Sequence, residues 1–239
     1  MMALTLVSKK ISDNTARVFW RVGTKRTGIV DVCFSFKSDE VASLAELVVC
    51  RELIFNRKIL NSEPPVSGQG IKLVFSAGAT KKHFLQRSTS ITGKKLAKFV
   101  GHRLADAKLV VSKDMEFMAD EVSTAIERID VNPEDYYSTN TEIDTPAIGR
   151  LNVTLHAIDQ YEERVTGGKP LKGWASLKKR LENTELCQRK LPPKVLEHKA
   201  RKYGRADNIE VWAHPSSTLH FLCLVDEGVK TLVTCFERE

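Results

Sequence analysis

Apolar and polar residues largely alternate over residues 3–11, 16–22 and 29–36, and Val, Ile, Phe and Thr are frequent in these runs. A period of two with such residues predicts antiparallel strands with one solvated face. The turn-rich stretches SDNT (12–15) and GTKRTG (23–28) separate them. The period then changes. Val41, Leu44, Leu47, Val48 and Ile54 recur at helical spacing behind Ser38, a good N-cap residue. Residues 61–70 carry two prolines and two glycines and read as a loop. Ile71–Phe75 is a buried type of strand. Residues 89–103 set Leu96, Phe99 and Val100 on one side of a second helix, and residues 109–112 form a further strand. The predicted order is β-β-β-α-β-α-β.

Residues 115–129 space Met118, Val122, Ala125, Ile126 and Ile129 as a helix would, and the Pro-, Asp- and Thr-rich residues 130–147 read as a linker or extended arm. A helix follows over 154–165, capped by Thr154 or Asn152, with Leu155, Ile158, Tyr161 and Val165 as its buried side. A basic helix is predicted over 171–186 and a basic stretch over 191–205. Ile209–Ala213, 219–225 and 231–236 then read as an antiparallel meander with turns at HPSS (214–217) and DEGVK (226–230). The expected class is α+β with two domains: a basic domain at 1–118, an acidic helix and linker at 119–147, and a second basic domain at 148–239.

Charge sharpens that division. Of a net +7, residues 1–118 hold 20 Lys/Arg against 10 Asp/Glu, residues 119–147 hold 1 against 8, and residues 148–239 hold 16 against 12. Basic bodies of this kind attract polyanions, nucleic acid foremost. Lys81, Lys82, Arg87, Lys94, Lys95, Lys98 and Arg103 crowd the first body. Lys172, Lys178, Lys179, Arg180, Lys199, Arg201, Lys202 and Arg205 crowd the second. Such clusters contact phosphates without sequence choice. Trp20, Trp174, Tyr203 and Trp212 are the aromatic groups for base stacking. The acidic connector reads first as an inert linker, with two alternatives: it folds back on a basic patch, or it pairs with a neighbouring subunit, which leaves a homo-oligomer open.

Five scattered cysteines, no long apolar run and a start (MMALTLVSKKISD) unlike a signal peptide lead to the expectation of reduced thiols, no membrane and a cytoplasmic location. No CxxC or HxxxH spacing suggests a metal, and no cofactor is expected.

The order of elements over residues 3–118 resembles the ribonuclease H-like fold. Nucleases of that fold hold two metal ions about 4 Å apart on converging carboxylates. Their acids stand on the first strand, in the first helix and at the end of the fourth strand. Here Glu46 fills the helix position, the first strand has no acid, and the fourth-strand position falls near Ser76. The resemblance therefore implies a catalytically empty scaffold, with Glu46 expected as a solvent-facing helix residue.

Residues 151–237 resemble the barnase–EndoU–colicin–RelE group of ribonucleases and toxins. Thr154, His156, Ala157 and Arg164 match its T-x-H-A-x-x-R-x-x-x-R-like helix, and Gly228 with Thr231 or Thr234 resembles its G-x-x-x-T strand, at a spacing of three or six residues instead of four. Gln160 replaces an arginine. What this resemblance implies is metal-independent RNA cleavage. His156 acts as base or acid, His214 or His220 as its complement, Arg164 and Lys230 on the phosphate, and Thr234 as a donor.

The expected function is binding of single-stranded RNA or mRNA, largely through the backbone, on catalytically degenerate nuclease-like domains. Such two-part chains resemble accessory proteins of large bacteriophages that handle phage transcripts, which would place the protein in the cytoplasm of a bacterial host cell. The alternative is a metal-independent endoribonuclease or toxin-like enzyme using His156, Arg164, His214 and Thr234. A third reading is a protein-interaction subunit whose charge serves an acidic partner.

Overall fold

The computed structural model describes residues 2–60, 66–114, 116, 118–137, 141–165, 172–190, 197, 200–201, 204 and 207–238. The chain is α+β and divides into two compact units, Met1–Tyr137 and Ser138–Glu239, each built on a mixed sheet.

In the first unit, β1 (Met2–Lys10), β2 (Thr15–Val22) and β3 (Arg26–Phe34) form the antiparallel meander expected from the alternation. Leu4, Leu6, Val18, Trp20, Val30 and Val32 share one face and meet helix α1 (Val41–Arg51) in the core. Trp20 lies opposite Gly28, where an added Cβ would stand 2.6 Å from the indole, so this strand position needs glycine for the ring to fit. Ser38 does not cap α1. Its hydroxyl accepts from the Glu40 N–H at 3.1 Å, two residues ahead of the N-cap position.

Strand β4 (Ile71–Phe75) runs parallel to β1, and β5 (Lys108–Val111) parallel to β4. Between them, α2 (Gly78–Phe84) and α3 (Ile91–Arg103) pack as a helical pair. The helix expected over 115–129 does not form. Ile126–Val131 is instead strand β6, parallel to β3, and the sheet order is β5-β4-β1-β2-β3-β6. The weak helical spacing there loses to the open hydrogen-bonding edge of β3.

Because β5 and β6 lie at opposite edges, the acidic chain between them crosses the sheet. It passes over the face turned away from α1, where Glu121 meets Arg17 at 2.6 Å and Lys9 at 3.5 Å. Helix α4 (Pro133–Tyr137) then packs on α3. Residues 119–137 are thus part of the first unit, whose 21 Lys/Arg face 16 Asp/Glu, a net charge of +5.

The second unit opens with a hairpin, β7 (Thr141–Thr145) and β8 (Gly149–Val153), whose first strand lies within the stretch expected as a linker. Helix α5 (Leu155–Arg164) follows, capped by the Thr154 hydroxyl accepting from the Ala157 N–H at 3.0 Å. Leu155, Ala157, Ile158 and Tyr161 are its buried side. Helix α6 (Gly173–Leu181) buries Trp174, Leu177 and Leu181. A short strand β9 (Cys187–Gln188) and the expected meander of β10 (Ile209–Ala213), β11 (Leu219–Asp226) and β12 (Val229–Glu237) complete the sheet β7-β8-β12-β11-β10-β9. β12 pairs parallel with β8, and α5 packs against β12. All five cysteines are free, and no helix among the described residues is long and apolar enough to cross a membrane.

Candidate nucleic-acid interface

Residues 78–105, the α2–α3 pair and its flanks, contain seven Lys/Arg and no acid. Ser90 caps α3, its hydroxyl accepting from the Gly93 N–H at 3.2 Å. Helical period buries Leu96, Phe99 and Val100 and turns Lys95 outward. The seven cations divide by task. Lys82, Arg87 and Lys95 are exposed, and Lys94 and Lys98 are half-buried. Lys95 Nζ stands 4.7 Å from the Tyr137 ring centre, a cation–π contact that leaves one side of the ammonium to solvent. Lys81 donates to the Leu109 carbonyl at 3.4 Å, and Arg103 lies over the Phe55 and Phe99 rings. These last two contact their own unit, and the exposed cations of the helical pair contract to Lys82, Arg87 and Lys95.

Glu46 is not solvent-facing. Its residue is fully buried where α1 passes the ends of β1 and β4. Ser8 Oγ donates to Oε1 at 3.1 Å, the Ser76 N–H donates at 2.9 Å, Ser76 Oγ also reaches Oε1, and Thr80 Oγ1 donates to Oε2 at 2.6 Å. Burial pushes the carboxyl above its ordinary range, and these donors offset only part of the shift. Ser8 is on the same strand face as Leu4 and Leu6, which is why a first-strand side chain reaches an acid on the helix. Two divalent ions need several converging carboxylates. This position offers one, with hydroxyl groups on both oxygens, and among the described residues no cluster of three or more His, Cys, Asp or Glu is arranged to hold a metal. The donor set does not fit a two-metal centre.

In the second unit the four side chains named for cleavage do not converge. His156 is exposed in the first turn of α5. Arg164, in the last turn, donates to the Cys235 carbonyl at 2.8 Å and ties α5 to β12. Cys235 faces α5, since its thiol contacts the Ala157 carbonyl at 3.8 Å, so the neighbouring Thr234 lies on the other side of the sheet. Thr234 is buried there and donates to the Cys235 carbonyl at 3.4 Å. His220 also faces that side, stacked on Phe236 with ring centres 5.2 Å apart. Lys230 is engaged by Glu210 at 2.9 Å and by the Trp212 ring.

His214 sits elsewhere, at the rim of a cavity of about 360 Å³ lined by Arg180, Asn183, Leu186, Ser216, Ser217, Leu219 and Phe221. One sequence-named cation and one sequence-named histidine therefore meet, while Asn183, Ser216 and Ser217 went unnamed. The HPSS turn was the only sign of the two serines. Among the other expected contacts, Lys178 pairs with Glu182, and Lys172, Lys179 and Arg201 are exposed. Lys199, Lys202, Arg205 and Tyr203 lie outside the described residues. Trp20 and Trp174 are 8% and 1% exposed, so neither can stack on a base. Comparison with protein-family models, curated proteins and solved structures gives no match.

Proposed function

We propose that the protein binds single-stranded RNA through its phosphate backbone, using two nuclease-like scaffolds that lack a nuclease centre. The first is read as ribonuclease H-like. In support, β1–β3 are sequential antiparallel strands and, after helix α1, β4 and β5 join in parallel on the β1 side, with β6 as an added edge on β3. Ser8 and Ser76 stand where nucleases of that fold carry acids, and Glu46 spends its oxygens on their hydroxyls. The observation that carries the reading is the acid-free helical pair presenting Lys82, Arg87 and Lys95 to solvent.

Filter binding of labelled RNA across a salt series tests it. Log affinity is expected to fall linearly with log salt, by about 0.7 for each phosphate neutralised on a single strand. Lys82→Gln, Arg87→Gln and Lys95→Gln are each expected to lower affinity for all sequences and to flatten the slope. Absence of RNA affinity at low salt would overturn the proposal and favour an acidic protein partner.

The second reading, metal-independent cleavage, rests on Arg180 and His214 lining one cavity. Incubation of RNA with the protein in EDTA, beside His156→Ala and His214→Ala variants, decides between them. Intact RNA is expected throughout. Cleavage lost in either variant would establish the enzyme instead.

A further inference from the structure

We propose that the Arg180–Asn183–Ser217 cavity of the second unit is a pocket for one phosphate-bearing nucleotide of an RNA chain, which rests on the RNA-binding reading above. Its floor is apolar: Leu186, Leu219 and Phe221 are 6%, 3% and 2% exposed. Its volume, about 360 Å³, lies in the range of cavities that take small molecules. A base is flat and apolar on its faces, and such a floor suits it.

Three groups of the rim keep donors that their contacts leave unused, while Ser216 gives its hydroxyl hydrogen to His214 Nδ1 at 2.9 Å. Arg180 gives Nε to the Tyr161 hydroxyl at 2.9 Å, which fixes the guanidinium and uses only one of its five N–H donors. Tyr161 is itself anchored by Ser176 at 2.6 Å. Asn183 Oδ1 accepts from the Glu185 N–H at 2.8 Å, so its amide NH2 remains. Ser217 Oγ accepts from the Leu219 N–H at 3.1 Å, so its hydroxyl hydrogen remains. Arginine, amide and hydroxyl together offer donors and a positive charge, the chemistry of a phosphate site.

His214 closes the wall. Its Nδ1 accepts from the Ser216 N–H at 3.2 Å, which places the ring hydrogen on Nε2, and Nε2 gives it to Glu185 at 2.5 Å. The carboxylate nearest the rim is thereby turned onto the histidine. Glu185 does not line the cavity, and no other acid does among the described residues. An apolar floor under a cationic, donor-rich rim selects a nucleotide over a free base or a free anion, because each of those fills only half of the site.

The test is titration of the full-length protein with uridine 5′-monophosphate and adenosine 5′-monophosphate, followed by calorimetry or NMR. Uridine, adenosine and inorganic phosphate are the comparison probes. RNA filter binding runs in parallel. The nucleotides are expected to bind more tightly than either fragment class. Arg180→Gln and Asn183→Ala are each expected to weaken nucleotide binding by about tenfold or more. Melting temperatures identify any variant that fails to fold. Asn183→Ala leaves the Arg180–Tyr161 contact in place, so it stands if Arg180→Gln does not fold. If the wild type binds RNA but takes up no nucleotide, or both folded variants bind nucleotide like the wild type, the pocket assignment is overturned and the RNA reading survives. If nucleotide binds through these residues and RNA does not, the RNA reading falls and the pocket survives. Inorganic phosphate binding as tightly as the nucleotides also overturns the proposal.

Discussion

Glu46 illustrates how one buried acid is held by hydroxyls rather than by cations. Removing it leaves Ser8, Ser76 and Thr80 without their shared acceptor, so Glu46→Ala is expected to cost about 2–4 kcal/mol in urea unfolding. Its pH signature has a definite sign. The folded carboxyl titrates above its ordinary 4.5, so the native state holds the proton more tightly than the unfolded chain. Its contribution is full below the unfolded value and is lost as pH rises through the folded one. Glu46→Gln removes this dependence. The stability of wild type relative to Glu46→Gln is therefore expected to fall from pH 4 to pH 7, and a flat or rising difference would contradict the assignment. At Gly93, a Cβ would stand 2.2 Å from His83 Nδ1, and that imidazole is fully buried. Gly93→Ala is expected to destabilise by about 1–3 kcal/mol through overpacking, read as a lowered urea midpoint. The sequence named Glu46 as the acid of its helix and pointed it to solvent. Helical spacing alone did not disclose that Ser8 and Ser76, 38 and 30 residues away in the chain, would be its partners.

Among the elements, those with strong local signals are the ones that agree with the sequence. β1–β3 largely alternate, and α5 starts just after Thr154 as its capping chemistry requires. Thr154→Ala is expected to lose about 1 kcal/mol, measured by denaturant unfolding, although the same hydroxyl also donates to the Leu232 carbonyl at 3.0 Å and adds to the loss. The elements misread are those decided by partners. β6 forms because β3 has an open edge, and β7–β8 form because β12 pairs with β8. The acidic crossing is held by charge: Arg17 is bound at once by Asp31, its cross-strand neighbour, and by Glu121, with its side chain only 18% exposed. Arg17→Gln is expected to cost about 1–2 kcal/mol. A double-mutant cycle with Glu121→Gln should show a coupling of roughly 0.5–1 kcal/mol that salt reduces. A zero coupling would mean that the crossing is held by packing alone.

On the scale of the molecule, the chain carries its charge as two unequal shares, net +5 in residues 1–137 and net +2 in residues 138–239. The boundary expected at residue 118 cuts the first unit through its sheet. A fragment ending there loses β6 from β3 and loses Glu121 from Lys9 and Arg17, whereas one ending at Tyr137 keeps both. Fragment 1–137 is expected to unfold cooperatively, and fragment 1–118 to aggregate or to melt without a transition, as calorimetry would show. Composition and periodicity by themselves determined the α+β class, the first meander, the last meander, the basic helix at 91–103 and the capped helix at 155–164. These depend on neighbours within a few residues, where propensity and hydrophobic spacing act. Only the tertiary structure decided that Glu46 is buried, that the acidic stretch is a crossing and an edge strand, and that Thr234 is across the sheet from His156. It alone brought Arg180 to His214, because sheet register and the hydrogen-bonding needs of open edges are satisfied between segments far apart in the chain.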